Sequence, residues 1–132
     1  MKPRSRPVIL LAEDFEDARD LYRDYLEFSG FSVEVAANGR EAIDRALALK
    51  PDLILMDASM PVLDGWQATR ELKANPATKH IPVLALTAHA FDDARQEARS
   101  SGCDGFVIKP CLPDDLVAKV RETLGGCGHR DT

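Results

Sequence analysis

Five side chains that could carry phosphate or metal chemistry lie at the ends of short apolar runs in the sequence. Glu13 and Asp14 follow the first run, and Asp57 follows the third. Thr87 follows the fourth run and Lys109 follows the fifth. Three carboxylates, one hydroxyl and one ammonium are therefore associated with four separate runs.

Three carboxylates that converge repel one another unless their pKa values rise or a cation neutralises them. Mg²⁺ suits such a set, because it binds a few carboxylate oxygens and keeps several of its water molecules. Once Mg²⁺ and Lys109 reverse the local charge, a carboxylate such as Asp57 can attack phosphorus and form an acyl phosphate. The metal and Lys109 would stabilise the charge on the transferring phosphoryl oxygens.

The apolar runs predict five strands, which span residues 8–12, 32–36, 53–56, 83–86 and 106–108. Three of the runs are almost continuously apolar, as strands covered on both faces must be. The segments between and after them have apolar residues at helical spacing, with Gly30 as a stop for the first helix and Asp64 as a cap for the third. The fourth predicted helix, 91–101, has only Ala94 and Ala98 on its inner face and should be the most loosely docked.

Regular alternation of strand and helix predicts an α/β fold with a parallel sheet wrapped by helices on both sides. In such sheets, ligands bind in the crevice beyond the carboxyl ends of the strands. The five polar side chains are therefore expected to meet in one crevice. A single acid after a strand could simply be a solvated loop residue, but this set follows four strands.

The composition indicates a single globular domain. The chain has 132 residues, of which 45% are hydrophobic and 30% are charged, and its net charge is −5. The negative charge disfavours direct DNA binding, and no apolar run reaches the roughly 18–20 residues that span a bilayer. Three cysteines without a CxxC pair suit reduced thiols in the cytoplasm. We expect a disordered basic arm over 1–6, the domain over 7–125 and a flexible tail over 126–132.

Four phrases of the sequence together carry a family resemblance: LAEDF (11–15), DLILMDASMPVLDG (52–65), LTA (86–88) and GFVIKP (105–110). In this order and at this spacing, they resemble the receiver domains of bacterial response regulators, the CheY-like superfamily of two-component signalling. The resemblance covers about residues 7–125. It implies a (βα)5 doubly wound, five-stranded parallel sheet of flavodoxin-like type with strand order 2-1-3-4-5.

The resemblance also implies a role for the polar residues at the crevice. Asp57 matches the phosphoacceptor, and Glu13 and Asp14 match the acidic pair. Mg²⁺ would be held by this set, with Asp14 as a direct ligand and the backbone carbonyl of Ser59 as a further protein oxygen. Lys109 matches the lysine that binds the phosphoryl group.

Further matching residues belong to the switch and to the backbone around the site. Thr87 and Ala88 match the positions that bind the phosphoryl group, and Phe106 matches an aromatic residue that changes rotamer. Pro61 and Gly65 match the turn between the third strand and the third helix, where we expect a positive φ at Gly65. The peptide bond before Pro110 is expected to be cis.

The function implied is that of a phosphoacceptor, either stand-alone or from a hybrid kinase or phosphorelay. It would accept a phosphoryl group from a sensor histidine kinase or a histidine phosphotransfer protein, and would not be a turnover enzyme. The output surface is expected on the fourth predicted helix, the fifth strand and the fifth predicted helix. We expect a cytoplasmic monomer or weak dimer that acts on a downstream protein, without direct binding to DNA or to membranes.

Three other functions can be compared with these residues. A phosphatase of the haloacid-dehalogenase type would need an aspartate two residues after its nucleophile, where Ser59 stands. A flavodoxin-like cofactor carrier would need a Ser/Thr/Gly loop after the first strand to hold phosphate, but residues 13–17 are mostly acidic. A receiver that only scaffolds partners without phosphorylation would not need the intact acidic set.

Overall fold

The computed structural model describes residues 6–58, 60, 63–87, 96, 100–109 and 112–129, with the backbone alone for 125–129. Five parallel strands form one sheet in the order β2-β1-β3-β4-β5, which confirms the predicted fold class and strand order. The strands are β1 (Val8–Ala12), β2 (Ser32–Ala36), β3 (Leu53–Asp57), β4 (Val83–Thr87) and β5 (Gly105–Ile108).

The three central strands are buried along almost their whole length, because helices cover both faces of the sheet. Every residue of β3 and β4 is buried, and in β1 only Val8 is partly exposed. Successive residues of a strand belong to different cores: Ile9 packs with α1 (Glu16–Phe28), whereas Leu10 packs with α2 (Gly39–Leu49). The near-continuous apolar runs in the sequence therefore follow from burial on two faces.

Four helices are described, and the start of the third agrees with its predicted cap. Besides α1 and α2 they are α3 (Gly65–Ala74) and α4 (Pro113–His129), the last of which is the fifth predicted helix. Asp64 caps α3 by accepting a hydrogen bond from the amide of Gln67 at 2.9 Å, as predicted. Gly30 has a φ of 107°, which explains why a glycine ends α1.

The described residues cover only part of two predicted segments, 91–101 and 126–132. Most of the predicted helix 91–101, including Ala94 and Ala98, lies outside the described residues; Gln96, Ser100 and Ser101, which are described, are helical. The helix α4 continues beyond residue 125 to His129 and so includes part of the predicted tail 126–132. Among the described residues, none of the helices is long and apolar enough to cross a membrane.

Candidate functional site

The carboxyl ends of the central strands bring the predicted acidic residues together. Ala12 lies opposite Met56 in the register of β1 and β3, so Glu13 lies level with Asp57 at the edge of the sheet. Carboxylate oxygens of Glu13, Asp14 and Asp57 all lie within 4.8 Å of one another. Glu13 and Asp57 are buried and Asp14 is exposed, so the group opens to solvent on one side. Its oxygen ligands and negative charge could hold a metal ion.

Lys109 neutralises part of this negative charge. It follows β5, and its amide donates a hydrogen bond to the carbonyl oxygen of Thr87 at 2.6 Å. Its Nζ lies 2.9 Å from Glu13 Oε1 and 3.3 Å from Asp57 Oδ2. Burial alone would lower the pKa of Lys109, but the hydrogen bond to Glu13 and the charges of Asp57 and Glu13 outweigh burial and raise it. Lys109 therefore stays cationic between two buried carboxylates.

Both carboxylate oxygens of Glu13 have hydrogen-bond partners. Oε1 accepts from Lys109, and Oε2 accepts from the backbone amide of Phe15 at 3.2 Å. The Glu13 amide in turn donates to the carbonyl oxygen of Ala36 on β2 at 3.0 Å. Glu13 thus orients both Lys109 and the turn between β1 and α1. Because both of its carboxylate oxygens have partners, Glu13 would contact a metal ion in the acidic group most easily through a water molecule.

Gly65 lies where the resemblance placed it, but the expected positive φ is wrong. Among the described glycines, only Gly30 and Gly102 have a positive φ. A Cβ at Gly65 would lie 2.0 Å from the carbonyl oxygen of Asp57. The Gly65 amide also donates to the Ala58 carbonyl at 3.0 Å. Glycine is needed because helix α3 begins directly against the backbone of the predicted phosphoacceptor.

The remaining predicted residues divide into two groups. Thr87 is the last residue of β4 and is buried, with 4% of its surface exposed. Phe106 is half-buried on β5, opposite Ala85 in the register. Four predicted residues lie outside the described part of the chain: Ser59, Pro61, Ala88 and Pro110.

Two residues near the site escaped the sequence analysis. Arg19 donates from its guanidinium to the Glu13 carbonyl oxygen at 3.1 Å. A Cβ at Gly39, the first residue of α2, would lie 2.0 Å from the carbonyl oxygen of Leu63, in the loop between β3 and α3. The Asn-Gly pair at 38–39 is a visible signal of a special backbone position. Arg19 has no such signal, because it cannot be told from other arginines on a helix surface.

Comparison with known proteins supports the same interpretation. A family model of the response regulator receiver domain matches residues 9–121. The polar-differentiation response regulator DivK of Brucella anthropi is 36% identical over 117 residues, which cover 89% of this chain and 95% of that protein.

Solved structures with the same fold include receiver domains of histidine kinases. The receiver domain of a signal transduction histidine kinase from Syntrophus aciditrophicus is 36% identical, with a TM-score of 0.83 and 91% of each chain covered. That of sensor histidine kinase PA1611 from Pseudomonas aeruginosa PAO1 has a magnesium ion coordinated in its active-site cleft. It is 32% identical, with a TM-score of 0.85, and the match covers 92% of this chain and 99% of that one.

The sheet order, the acidic group with its lysine, and the match over residues 9–121 agree with one another. The family match favours a receiver domain over the haloacid-dehalogenase and flavodoxin-like alternatives. This chain belongs to the response regulator receiver domain family of two-component signalling.

Proposed function

We propose that Asp57 accepts a phosphoryl group from a histidine residue of a partner protein and that the phosphorylated domain signals to a downstream protein. The observation that carries this proposal is the position of Asp57. Its side chain is only 6% exposed, lies 3.3 Å from the Lys109 ammonium and belongs to the acidic group with Glu13 and Asp14. A carboxylate in this setting is close to a cation that can bind phosphoryl oxygens.

The transfer is a displacement at phosphorus. A carboxylate oxygen of Asp57 forms the new P–O bond while the P–N bond to the donor histidine breaks, which leaves an acyl phosphate on Asp57. Lys109 stabilises negative charge on the phosphoryl oxygens, and the Thr87 hydroxyl, at the end of the neighbouring strand, donates to one of them. Because the acceptor is part of the protein itself, the domain is not a turnover enzyme.

The carboxylates fit Mg²⁺, which prefers oxygen ligands and keeps several waters. Asp14 and Asp57 would be direct ligands together with the backbone carbonyl of Ser59, and Glu13 would act through water because Lys109 and Phe15 already bind its oxygens. When bound, the metal supplies positive charge for the phosphoryl oxygens.

The donor is proposed to be a sensor histidine kinase or a histidine phosphotransfer protein, which places the exchange in the cytoplasm. Two exposed apolar side chains beside the site would be available for contact with a protein donor. Phe15 is 61% exposed and Leu112 is 68% exposed, and they lie on the loops that carry Glu13 and Lys109. We further propose that the domain is a monomer or weak dimer that binds proteins and not DNA.

The proposal is tested by phosphorylation with a small-molecule donor. Incubation with acetyl phosphate and Mg²⁺ should give one adduct of about 80 Da in the intact mass, as expected for one phosphoryl group on a carboxylate. Asp57→Asn should remove the adduct, whereas Asp44→Asn, which alters an exposed aspartate on α2, should not. Labelling of Asp57→Asn, or undiminished labelling in excess EDTA, would refute the proposal. No labelling of the parent protein would favour a scaffold role.

A further inference from the structure

Arg19 reaches back from the second turn of α1 to the turn that carries the acidic pair. Its guanidinium donates to the carbonyl oxygen of Glu13 at 3.1 Å. Helix α1 has no side-chain cap at its amino end, where Phe15 occupies the N-cap position. The turn over residues 13–15 is therefore held by contacts other than an ordinary helix cap.

These contacts fix both peptide groups next to Asp14. Arg19 holds the carbonyl of the Glu13–Asp14 peptide, and the Glu13 carboxylate holds the amide of the Asp14–Phe15 peptide at 3.2 Å. The orientation of the two peptide planes that flank a Cα sets the direction of its Cα–Cβ bond. Asp14 is exposed, so this backbone, more than packing against neighbours, determines where its side chain starts.

We propose that Arg19 is a positioning residue that holds the Glu13–Asp14 peptide so that the Asp14 carboxylate faces Asp57 and can bind Mg²⁺ together with it. The inference rests on the Mg²⁺ site proposed above. It assigns Arg19 no contact with the metal or with the phosphoryl group, because its effect passes through the Glu13 backbone.

The charge of Arg19 would have the opposite effect on metal binding. A guanidinium close to the acidic group repels a cation, so loss of this charge alone would strengthen Mg²⁺ binding. Loss of a contact that orients a metal ligand weakens binding instead, by about ten-fold in comparable sites. The sign of the change in affinity therefore separates positioning from simple electrostatics.

The experiment is a Mg²⁺ titration of the full chain, followed by the amide NMR signals of residues 13–15. The variants are Arg19→Met, which loses both charge and donor, and Arg19→Lys, which keeps the charge and a single donor group. Arg23→Met is the matched control: Arg23 lies one turn further along α1 and pairs with Asp20 at 3.3 Å and with Asp24 at 3.8 Å. Thermal unfolding checks that each variant is folded.

The inference predicts that Arg19→Met binds Mg²⁺ about ten-fold more weakly than the parent, with Arg19→Lys between the two and Arg23→Met unchanged. Equal or tighter binding by Arg19→Met would overturn it, as would Arg19→Lys binding more weakly than Arg19→Met. If Arg19→Met does not fold, Arg19→Lys decides, and binding equal to the parent would reject the inference. If the parent itself shows no Mg²⁺ response, the proposed metal site fails, and this inference fails with it.

Discussion

At the scale of single residues, the site contains more negative charge than its own cation can neutralise. Lys109 contacts Glu13 and Asp57, and Asp14 adds a third carboxylate within 4.8 Å of both. Burial makes the repulsion between Glu13 and Asp57 stronger than it would be in water. Function and stability therefore oppose each other here, because the arrangement that would attract Mg²⁺ destabilises the protein without it.

Asp57→Asn is expected to stabilise the protein in the absence of Mg²⁺. The amide has almost the same shape as the carboxylate and removes one charge from the group, which should raise the free energy of unfolding by about 1 kcal/mol. Urea denaturation in EDTA measures the gain, with Asp44→Asn as the control for the change in net charge. Added Mg²⁺ should reduce the gain, because the metal stabilises the parent more than the variant. A variant less stable than the parent in EDTA would contradict the argument.

At the scale of secondary-structure elements, two glycines let helices approach the end of β3 and the loop that follows it. Gly65 lies against the carbonyl of Asp57 and Gly39 lies against that of Leu63, and a Cβ at either glycine would lie 2.0 Å from the carbonyl oxygen. The nearest contacts of these two glycines are with backbone atoms, which cannot rotate away as a side chain can. The position of Asp57 thus depends on the start of α3, and the position of Leu63 depends on the start of α2.

Gly65→Ala should destabilise the protein and slow the labelling of Asp57. Gly65 is the first residue of α3, so alanine gains at most about 1 kcal/mol in helix propensity there. The backbone must move to admit the Cβ, and we expect a net loss of about 2 kcal/mol. Gly105→Ala is the control, because its Cβ would meet only the ends of two side chains, Leu84 Cδ2 at 3.1 Å and Lys119 Cε at 3.8 Å. Urea denaturation and the acetyl phosphate labelling rate measure the two effects. Equal behaviour of both variants would show that the approach of Gly65 to Asp57 is unimportant.

A second contact between elements joins α1 to α4. The Tyr25 hydroxyl donates a hydrogen bond to the Asp114 carboxylate, and this bond raises the pKa of Tyr25. Because the folded protein holds the phenolic proton more tightly than the unfolded chain, the stabilisation is complete below the unfolded pKa of about 10. It is lost as the pH rises through the higher pKa of the folded state.

The free energy of unfolding should therefore fall more steeply above pH ~10 in the parent than in Tyr25→Phe. Urea denaturation at a series of alkaline pH values measures this difference. Ultraviolet titration of the phenolate should place Tyr25 above its ordinary pKa, and Asp114→Asn should lower that pKa. Identical pH profiles for the parent and Tyr25→Phe would show that the contact does not contribute to folding.

Some elements could be predicted from the sequence because their signals are local. A strand that is buried on both faces consists almost entirely of apolar residues and is therefore visible in the sequence. The predicted bounds of β1 agree with the structure, and β3 and β4 each extend one residue beyond the prediction. The convergence of Glu13, Asp14 and Asp57 could be predicted because the carboxyl ends of parallel strands lie at the same edge of a sheet. The close approach at Gly65 could not be predicted. The sequence does not show whether a glycine is needed because its φ is positive or because there is no space for a Cβ. The contact of Arg19 could be found only in the three-dimensional structure, because its partner is a backbone carbonyl, which every residue has.

At the scale of the whole molecule, a phosphoryl group at Asp57 can act at a distance only through the neighbouring strands. In the register, Asp57 lies opposite Leu86, Thr87 lies opposite Ile108, and Ala85 lies opposite Phe106. The edge strand β5 is partly exposed along its whole length, unlike the buried β4. A change that starts at Thr87 therefore meets less packing resistance toward β5 than toward the centre of the sheet.

We expect the phosphoryl group to draw the Thr87 hydroxyl toward Asp57, which would change the space beside β4 available to the Phe106 ring. We expect the domain without phosphate to sample the switched state already, and the phosphoryl group to shift this equilibrium at the predicted output surface of the fourth predicted helix, β5 and α4. Beryllofluoride, a phosphoryl mimic, added with Mg²⁺ should shift NMR signals over residues 87–112, well beyond the site. Thr87→Ala should still accept phosphate at Asp57 but lose most of that distant response.

Thr78→Ala serves as the control. Thr78 is also buried, but it lies before β4 and its hydroxyl donates to the carbonyl oxygen of Leu72. This variant should therefore respond like the parent. A full distant response in Thr87→Ala, or shifts confined to the site in the parent, would exclude this switch.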